Sequence, residues 1–320
     1  MSPEKNKERI AQVWVEYLIK FNAIDCATKG EHLDPARLFG RYGSRNFLTQ
    51  SCSEQIREAR IPYDCIVTMS AQSALFAASL ANKLQVPFIQ KRGTEWYVFN
   101  PGNFSQSEEE KIFAKTILAG SYSVLPYAVQ LADKHKLGCA YVMDDNQTAR
   151  CGGDTIPERS AVFFLTEEYD RKRKTAVLKN LAKKKCWINT AHNLSIQTKG
   201  SIQKKLNTKD RHEIQVLAVT DIVTTGEQQA KEITELRKAG FECEHLISLF
   251  TYDLSCAREI FQGSRAFGTS KSTLGKPCRI TPLVTWAETF KAMEGLEKLS
   301  ELGMKIHTEV ELLNRNLMGA

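Results

Sequence analysis

Apolar residues recur with the period of a helix along ERIAQVWVEYLIKF (8–21), where Ile10, Val13, Trp14, Tyr17, Leu18 and Phe21 fall on one stripe. This pattern predicts a packing helix. Residues 22–50 are richer in turn formers. Beyond residue 60, short unbroken apolar runs alternate with stretches of helical period, four times over. The first unit is YDCIVTMSAQSALFAASLANKLQVPFIQKR (63–92), read as strand CIVTM, helix ALFAASLANKL and strand VPFIQ. The second is residues 115–145, the third 160–191 and the fourth IQVLAVTDIVTTGEQQAKEITELRKAGFECEHLISLF (214–250). Unbroken apolar runs suit strands covered on both faces, and their alternation with helices predicts parallel strands joined by right-handed crossovers.

The predicted fold class is therefore α/β, a Rossmann-like doubly wound parallel sheet. Polar connectors at 93–110, 145–158 and 193–212 separate the units, the last being the expected mobile loop. Residues 257–278 read as loop after a first turn. Residues 285–317 read as mostly helical, with Gly295 and Gly303 as interruptions. The first two units resemble each other, as do the last two: aligning Val162 with Val216 sets Glu167 over Asp221. An internal duplication (63–92/115–145 and 160–191/214–250) and the general likeness of any two strand–helix–strand units both account for this.

Composition narrows the class. The chain has 320 residues, 42% of them hydrophobic, enough for a large core. No apolar run approaches the roughly 20 residues of a membrane span. The charged start MSPEKNKERIAQ lacks a secretory apolar region, so the expected compartment is cytoplasmic. Nine scattered cysteines without a Cys-x-x-Cys pair predict reduced thiols and argue against structural zinc. The net charge of +7 owes much to YDRKRKTAVLKNLAKKKC (169–186), which reads either as a nucleic-acid patch or as a solvated helix face. No reading motif accompanies it, and the solvated face is preferred. A phosphorylated substrate also suits a basic protein.

The fourth unit carries the candidate chemistry. VLAVTDIVTTG passes from an apolar strand through an acid, Asp221, and two apolar residues, Ile222 and Val223, into Thr224, Thr225 and Gly226, and then into a helix. A turn of this kind offers an anion the unpaired N–H groups and the dipole of a helix start. Thr224 and Thr225 would add hydroxyl donors, and Gly226 a close backbone approach. Asp221 would accept from sugar hydroxyls or support magnesium. The competing reading is a helix capped by Thr224 or Thr225 with Asp221 solvated beside it.

This order resembles the phosphoribosyl-pyrophosphate (PRPP) signature of type I phosphoribosyltransferases. The orotate phosphoribosyltransferases are the most similar members. The N-terminal helix running into FNAIDCATKGEHL, the unit at 117–142 and PCRITPLVTWAETF (277–290) resemble other parts of that family. The resemblance implies an N-terminal helix and hood at 1–60, a core with insertions at 61–284 and a C-terminal helical segment at 285–320. It also implies a homodimer and transfer of ribose 5-phosphate from PRPP to a nucleobase with magnesium. PRPP or a nucleoside monophosphate is the expected ligand.

Carried onto this chain, the resemblance assigns the PRPP site to Thr220, Asp221, Ile222, Val223, Thr224, Thr225 and Gly226, with Asp221 the indirect metal contact. It makes Ser121, Tyr122 and Ser123 the pyrophosphate-loop candidates. Lys91 and Arg92, or a lysine from 199–209, are the candidate cations on the leaving pyrophosphate. There are departures. Thr220 replaces the first of two acids, Glu227 and Gln228 stand where small residues are usual, and Ser123-Val124 replaces Lys-Gly. Met143-Asp144-Asp145 replaces a basic pair, and FTYDLSCARE (250–259) lacks the family's Asp-Arg-Gly-Gly character. The predicted function is an orotate-like phosphoribosyltransferase. The alternative is a chain that kept the fold and nucleotide binding as a regulatory or structural subunit without catalysis.

Overall fold

Six helices and nine strands organise the described residues of the computed structural model, which are 3–20, 23, 38–68, 73–92, 95–99, 129, 132–133, 136, 138–142, 160–164, 187–188, 214–263, 274–295, 304, 307–308, 310–312 and 314. The helices are α1 (Pro3–Lys20), α2 (Tyr42–Glu58), α3 (Ala74–Leu84), α4 (Glu227–Lys238), α5 (Ser255–Phe261) and α6 (Trp286–Gly295). The strands are β1 (Cys65–Thr68), β2 (Phe88–Arg92), β3 (Glu95–Phe99), β4 (Gly138–Val142), β5 (Ser160–Phe164), β6 (Trp187–Ile188), β7 (Gln215–Val223), β8 (Glu242–Thr251) and β9 (Arg279–Thr285).

Six strands form one sheet in the order β3-β2-β1-β7-β8-β9. Five of them are parallel, and β3 returns antiparallel at one edge. β4, β5 and β6 form a separate parallel sheet. The strands at 138–142, 160–164 and 187–188 thus pair among themselves and not with the fourth unit.

Alternate residues of the main strands enter two apolar layers. Ile66, Phe88, Leu217, Val219, Ile247 and Leu249 pack with α1, α2, α3 and α6. Cys65, Val67, Ile89, Val216, Ala218 and Leu246 pack with α4 and α5. Burial on both faces is the reason the strands read as unbroken apolar runs.

Two sequence expectations need correction. Residues 93–110 were expected to be a polar connector, yet Glu95–Phe99 is a strand, with Tyr97 opposite Gln90 and Trp96 opposite Lys91. Its aromatic and β-branched residues favour a pleated surface, and only two residues separate it from β2. The strand expected at VPFIQ starts later and runs through Lys91 and Arg92, so the basic pair belongs to the ladder.

Side chains fix the helices to this frame. Trp14 of α1 is fully buried and stacks on Phe250 at 5.8 Å. Arg45 of α2, also fully buried, bonds Asp133 through Nε (2.9 Å) and Nη2 (2.8 Å) and donates from Nη1 to the Phe39 carbonyl at 2.7 Å. Burial raises the Asp133 carboxyl above its usual range, against the pull of Arg45. At α6, Thr285 Oγ1 accepts from the Glu288 N–H at 3.2 Å while Glu288 Oε2 accepts from the Thr285 N–H at 2.8 Å, a reciprocal capping box. In β9, the Pro282 carbonyl accepts from Gln55 Nε2 at 3.0 Å.

Candidate functional site at the sheet reversal

Strand order reverses between β1 and β7. From β1 the chain crosses through α3 to β2 on one side, and from β7 through α4 to β8 on the other. α3 packs in one apolar layer and α4 in the other. In an open α/β sheet this reversal opens a crevice beyond the carboxyl ends of the two strands, where ligands bind. The turn at 224–226 borders that crevice.

β7 does not end at Asp221. It continues through Val223, because β8 is long enough to pair Ile222 with Phe250 and Val223 with Thr251. Thr220 is buried, and its Oγ1 lies 3.5 Å from Asp221 Oδ1. Asp221 is half-buried, and Oδ1 accepts from the Ile222 N–H at 3.0 Å. The Val223 carbonyl accepts from the Tyr252 N–H at 3.2 Å and from Thr251 Oγ1 at 3.3 Å, so the end of β8 braces the turn.

Thr224 and Thr225 are exposed, and neither caps α4. The cap residue is Gly226, with φ of 83° and no side-chain cap hydrogen bond. Its carbonyl accepts from Ala230 N–H at 2.9 Å, which starts the helical ladder. The N–H groups of the first turn, at Glu227, Gln228 and Gln229, therefore have no carbonyl one turn back to bond. The geometry is a helix start with two exposed hydroxyls beside it and an acid two residues before the end of β7. A helix start of this kind has the donors and dipole that suit an anion.

A small recess lies between α4 and the sheet, lined by Thr68, Thr220, Gln229 and Glu232 with apolar residues such as Ile233 and Leu236. Gln229 Nε2 donates to the Ile222 carbonyl at 3.1 Å, tying α4 to the strand. Burial pushes the Glu232 carboxyl up. The hydrogen bond from Gln228 opposes this, and the Asp221 charge adds to it. On the β1 side, Thr68 Oγ1 and Ser73 Oγ are 3.0 Å apart. Sequence reasoning passed over Gln229 and Glu232. Their three-residue spacing puts them on one face of α4, but that face meets the recess only once β1 is known to stand beside β7.

Lys91 and Arg92 lie in β2, two strands from β7. Register places Thr68 beside Gln90 and Val67 beside Ala218, so Lys91 and Arg92 are level with Thr220 and Asp221. The separation is about 10 Å, two strand spacings. Glu95 stands opposite Arg92 in the ladder. The unit flanking the turn is thus 63–92. The pyrophosphate-loop candidates Ser121, Tyr122 and Ser123 lie outside the described residues, as do the basic stretch 169–186 and the loop 193–212.

No family model matches the chain, and no curated protein matches it. Among solved structures it is similar to UMP synthase of Leishmania donovani, with a TM-score of 0.48 and 10% identity over 96% of this chain. It spans 42% of the length of that protein. It is similar to orotate phosphoribosyltransferase of Aeropyrum pernix, with a TM-score of 0.40 and 12% identity over 90% of this chain and 99% of the other. An adenine phosphoribosyltransferase gives a TM-score of 0.33 and 13% identity over 77% of this chain and 84% of its own.

Proposed function

We propose that the chain transfers ribose 5-phosphate from PRPP to a nucleobase nitrogen, releasing pyrophosphate. One observation carries this reading: a helix start without a side-chain cap, with two exposed threonines and an acid nearby, stands at the reversal of a parallel sheet. The 5′-phosphate would dock on Thr224, Thr225 and the first N–H groups of α4. Asp221 would hold the ribose hydroxyls. As the glycosidic carbon gains oxocarbenium character, negative charge builds on the departing pyrophosphate, and Lys91 or Arg92 would offset it.

Magnesium fits this site only as an ion carried on the substrate. Among the described residues no group of three or more His, Cys, Asp or Glu side chains could hold a metal ion, and the acids near the turn are Asp221 in β7 and Glu227 at the start of α4. Magnesium commonly keeps its waters and binds through phosphate oxygens and one carboxylate, which suits Asp221 as a water-bridged contact. Bound there, it would supply charge neutralisation on the pyrophosphate.

A second reading, binding without turnover, is favoured by the buried Thr220 in place of an acid and by the exposed Glu227 beside the phosphate position. One assay separates the two. Incubating the protein with PRPP, magnesium and a panel of pyrimidine and purine bases should release pyrophosphate, and Asp221→Asn should abolish that release. No release with any base, with ribose 5-phosphate still bound, would establish the second reading. If Thr225→Val leaves that binding unchanged, neither reading stands. The homodimer that the resemblance implies is checked by light scattering.

A further inference from the structure

Cys243 is the second residue of β8 and Cys278 immediately precedes β9, on strands whose ladder pairs His245 with Arg279. Both thiols are reduced, buried and in the same apolar layer. Neighbouring strands and a shared layer bring the two thiols together, and the Cys243 thiol donates to the His245 carbonyl at 3.8 Å. Next to them the Arg237 guanidinium ties together the carbonyls that frame the pair. Nη2 donates to Cys243 O at 2.6 Å and to Pro277 O at 2.9 Å, and Nη1 to Leu274 O at 2.6 Å. The residues on either side of Cys278, Lys276, Pro277 and Arg279, are exposed. Local opening of this turn, which the guanidinium holds down, would admit a small reagent without global unfolding.

The pair is mechanically connected to the phosphate turn. Cys278 N–H donates to the Phe261 carbonyl at 2.8 Å, and the Phe261 ring packs against Gly226. We propose that Cys243 and Cys278 are an oxidative modification site, a dithiol that hydrogen peroxide closes to a disulfide, and that Phe261 transmits the closure to Gly226. The Cys243 thiolate is favoured by a hydrogen bond from Cys278 and by the nearby Arg237, against the cost of burial, which marks Cys243 as the attacking sulfur.

The chemistry balances in two steps. Cys243 sulfur attacks one peroxide oxygen, the O–O bond breaks, and the other oxygen leaves as water with the thiol proton, giving a sulfenic acid. Cys278 sulfur then attacks the sulfenic sulfur. The S–O bond breaks and the second oxygen leaves as water with the Cys278 proton, forming the S–S bond. Two thiols are oxidised and one peroxide is reduced to two waters.

The test uses the full chain, reduced and then exposed to hydrogen peroxide. Remaining thiols are alkylated under denaturing conditions and mapped by mass spectrometry. Expected is one linked peptide pair containing Cys243 and Cys278, with Cys52 and Cys65 still alkylated and the link lost on adding dithiothreitol. Cys243→Ala and Cys278→Ala, checked for folding by circular dichroism, should show no such link. If either variant does not fold, the wild-type map alone decides. Full alkylation of both thiols, or links between other cysteines instead, overturns the site. Amide exchange at residues 226–229 should change on the order of threefold or more on oxidation; unchanged exchange in linked protein overturns the transmission through Phe261. Neither readout depends on PRPP binding, so this proposal can fail while the transferase reading stands, and the reverse.

Discussion

A β-carbon added to Gly226 would lie 2.7 Å from Cε2 of Phe261, closer than any real contact. The positive φ at Gly226 compounds the conflict. Gly226→Ala should therefore lower stability by about 2–4 kcal/mol, the sum of an unfavourable backbone region and an overpacked contact. Urea unfolding measures this. The double variant Gly226→Ala/Phe261→Leu should unfold at a higher urea concentration than Phe261→Leu alone would suggest if the two costs were independent. Strict additivity would show that the ring is not the obstacle.

Arg45 has no exposed side-chain surface and divides its donors between Asp133 and the Phe39 carbonyl. Arg45→Met leaves the half-buried Asp133 carboxylate without this cation, though Asn82 and Lys83 remain beside it, and a loss of about 3 kcal/mol is expected. Adding Asp133→Asn should recover part of that loss, because a neutral amide is less costly to bury than an unpaired charge. Thermal or urea unfolding of both variants checks this.

Acid should weaken the fold through His245. Burial holds its pKa below the ordinary 6.5, the neighbouring Arg279 lowers it further, and Glu244 works against both. The unfolded chain then binds more protons than the folded one as pH falls below 6.5, so stability is present above that value and declines as pH drops through the folded pKa. His245→Gln should flatten this limb of the stability–pH curve. A curve of unchanged slope would assign the acid limb to other groups.

The cations predict a charge signature. Lys91→Ala and Arg92→Ala should each weaken PRPP binding more than ribose 5-phosphate binding, because only PRPP carries the pyrophosphate. The difference should shrink as salt rises. Isothermal titration with the two ligands at two ionic strengths is sufficient. Equal loss for both ligands would move the pair off the leaving group.

Local patterns anticipated a good part of this molecule. The apolar run at 65–68, the helix at Ala74–Leu84 and the strand, turn and helix around Asp221 follow residue periodicity closely. What escaped was relational. Which strand lies next to β7 depends on sheet order, and no local pattern distinguishes β1 from the run at 138–142. The reach of β7 past Asp221 is set by the length of β8. Thr224 and Thr225 look like caps by composition, yet the chain places Gly226 in the left-handed conformation that starts α4 and leaves both hydroxyls outside. The strand at Glu95–Phe99 was hidden because the rest of its segment is polar.

Pro282 settles what β9 can do at the border of the main sheet. A strand residue points its N and its carbonyl to the same side, and the Pro282 carbonyl is taken up by Gln55 at 3.0 Å, outside the ladder with β8. At that position the outer rim has no amide hydrogen to offer, and its acceptor is already occupied. A further strand could not zip onto β9 in regular fashion, whether from a neighbouring molecule or from a misfolded chain, so the protein is guarded along this border against edge-to-edge association.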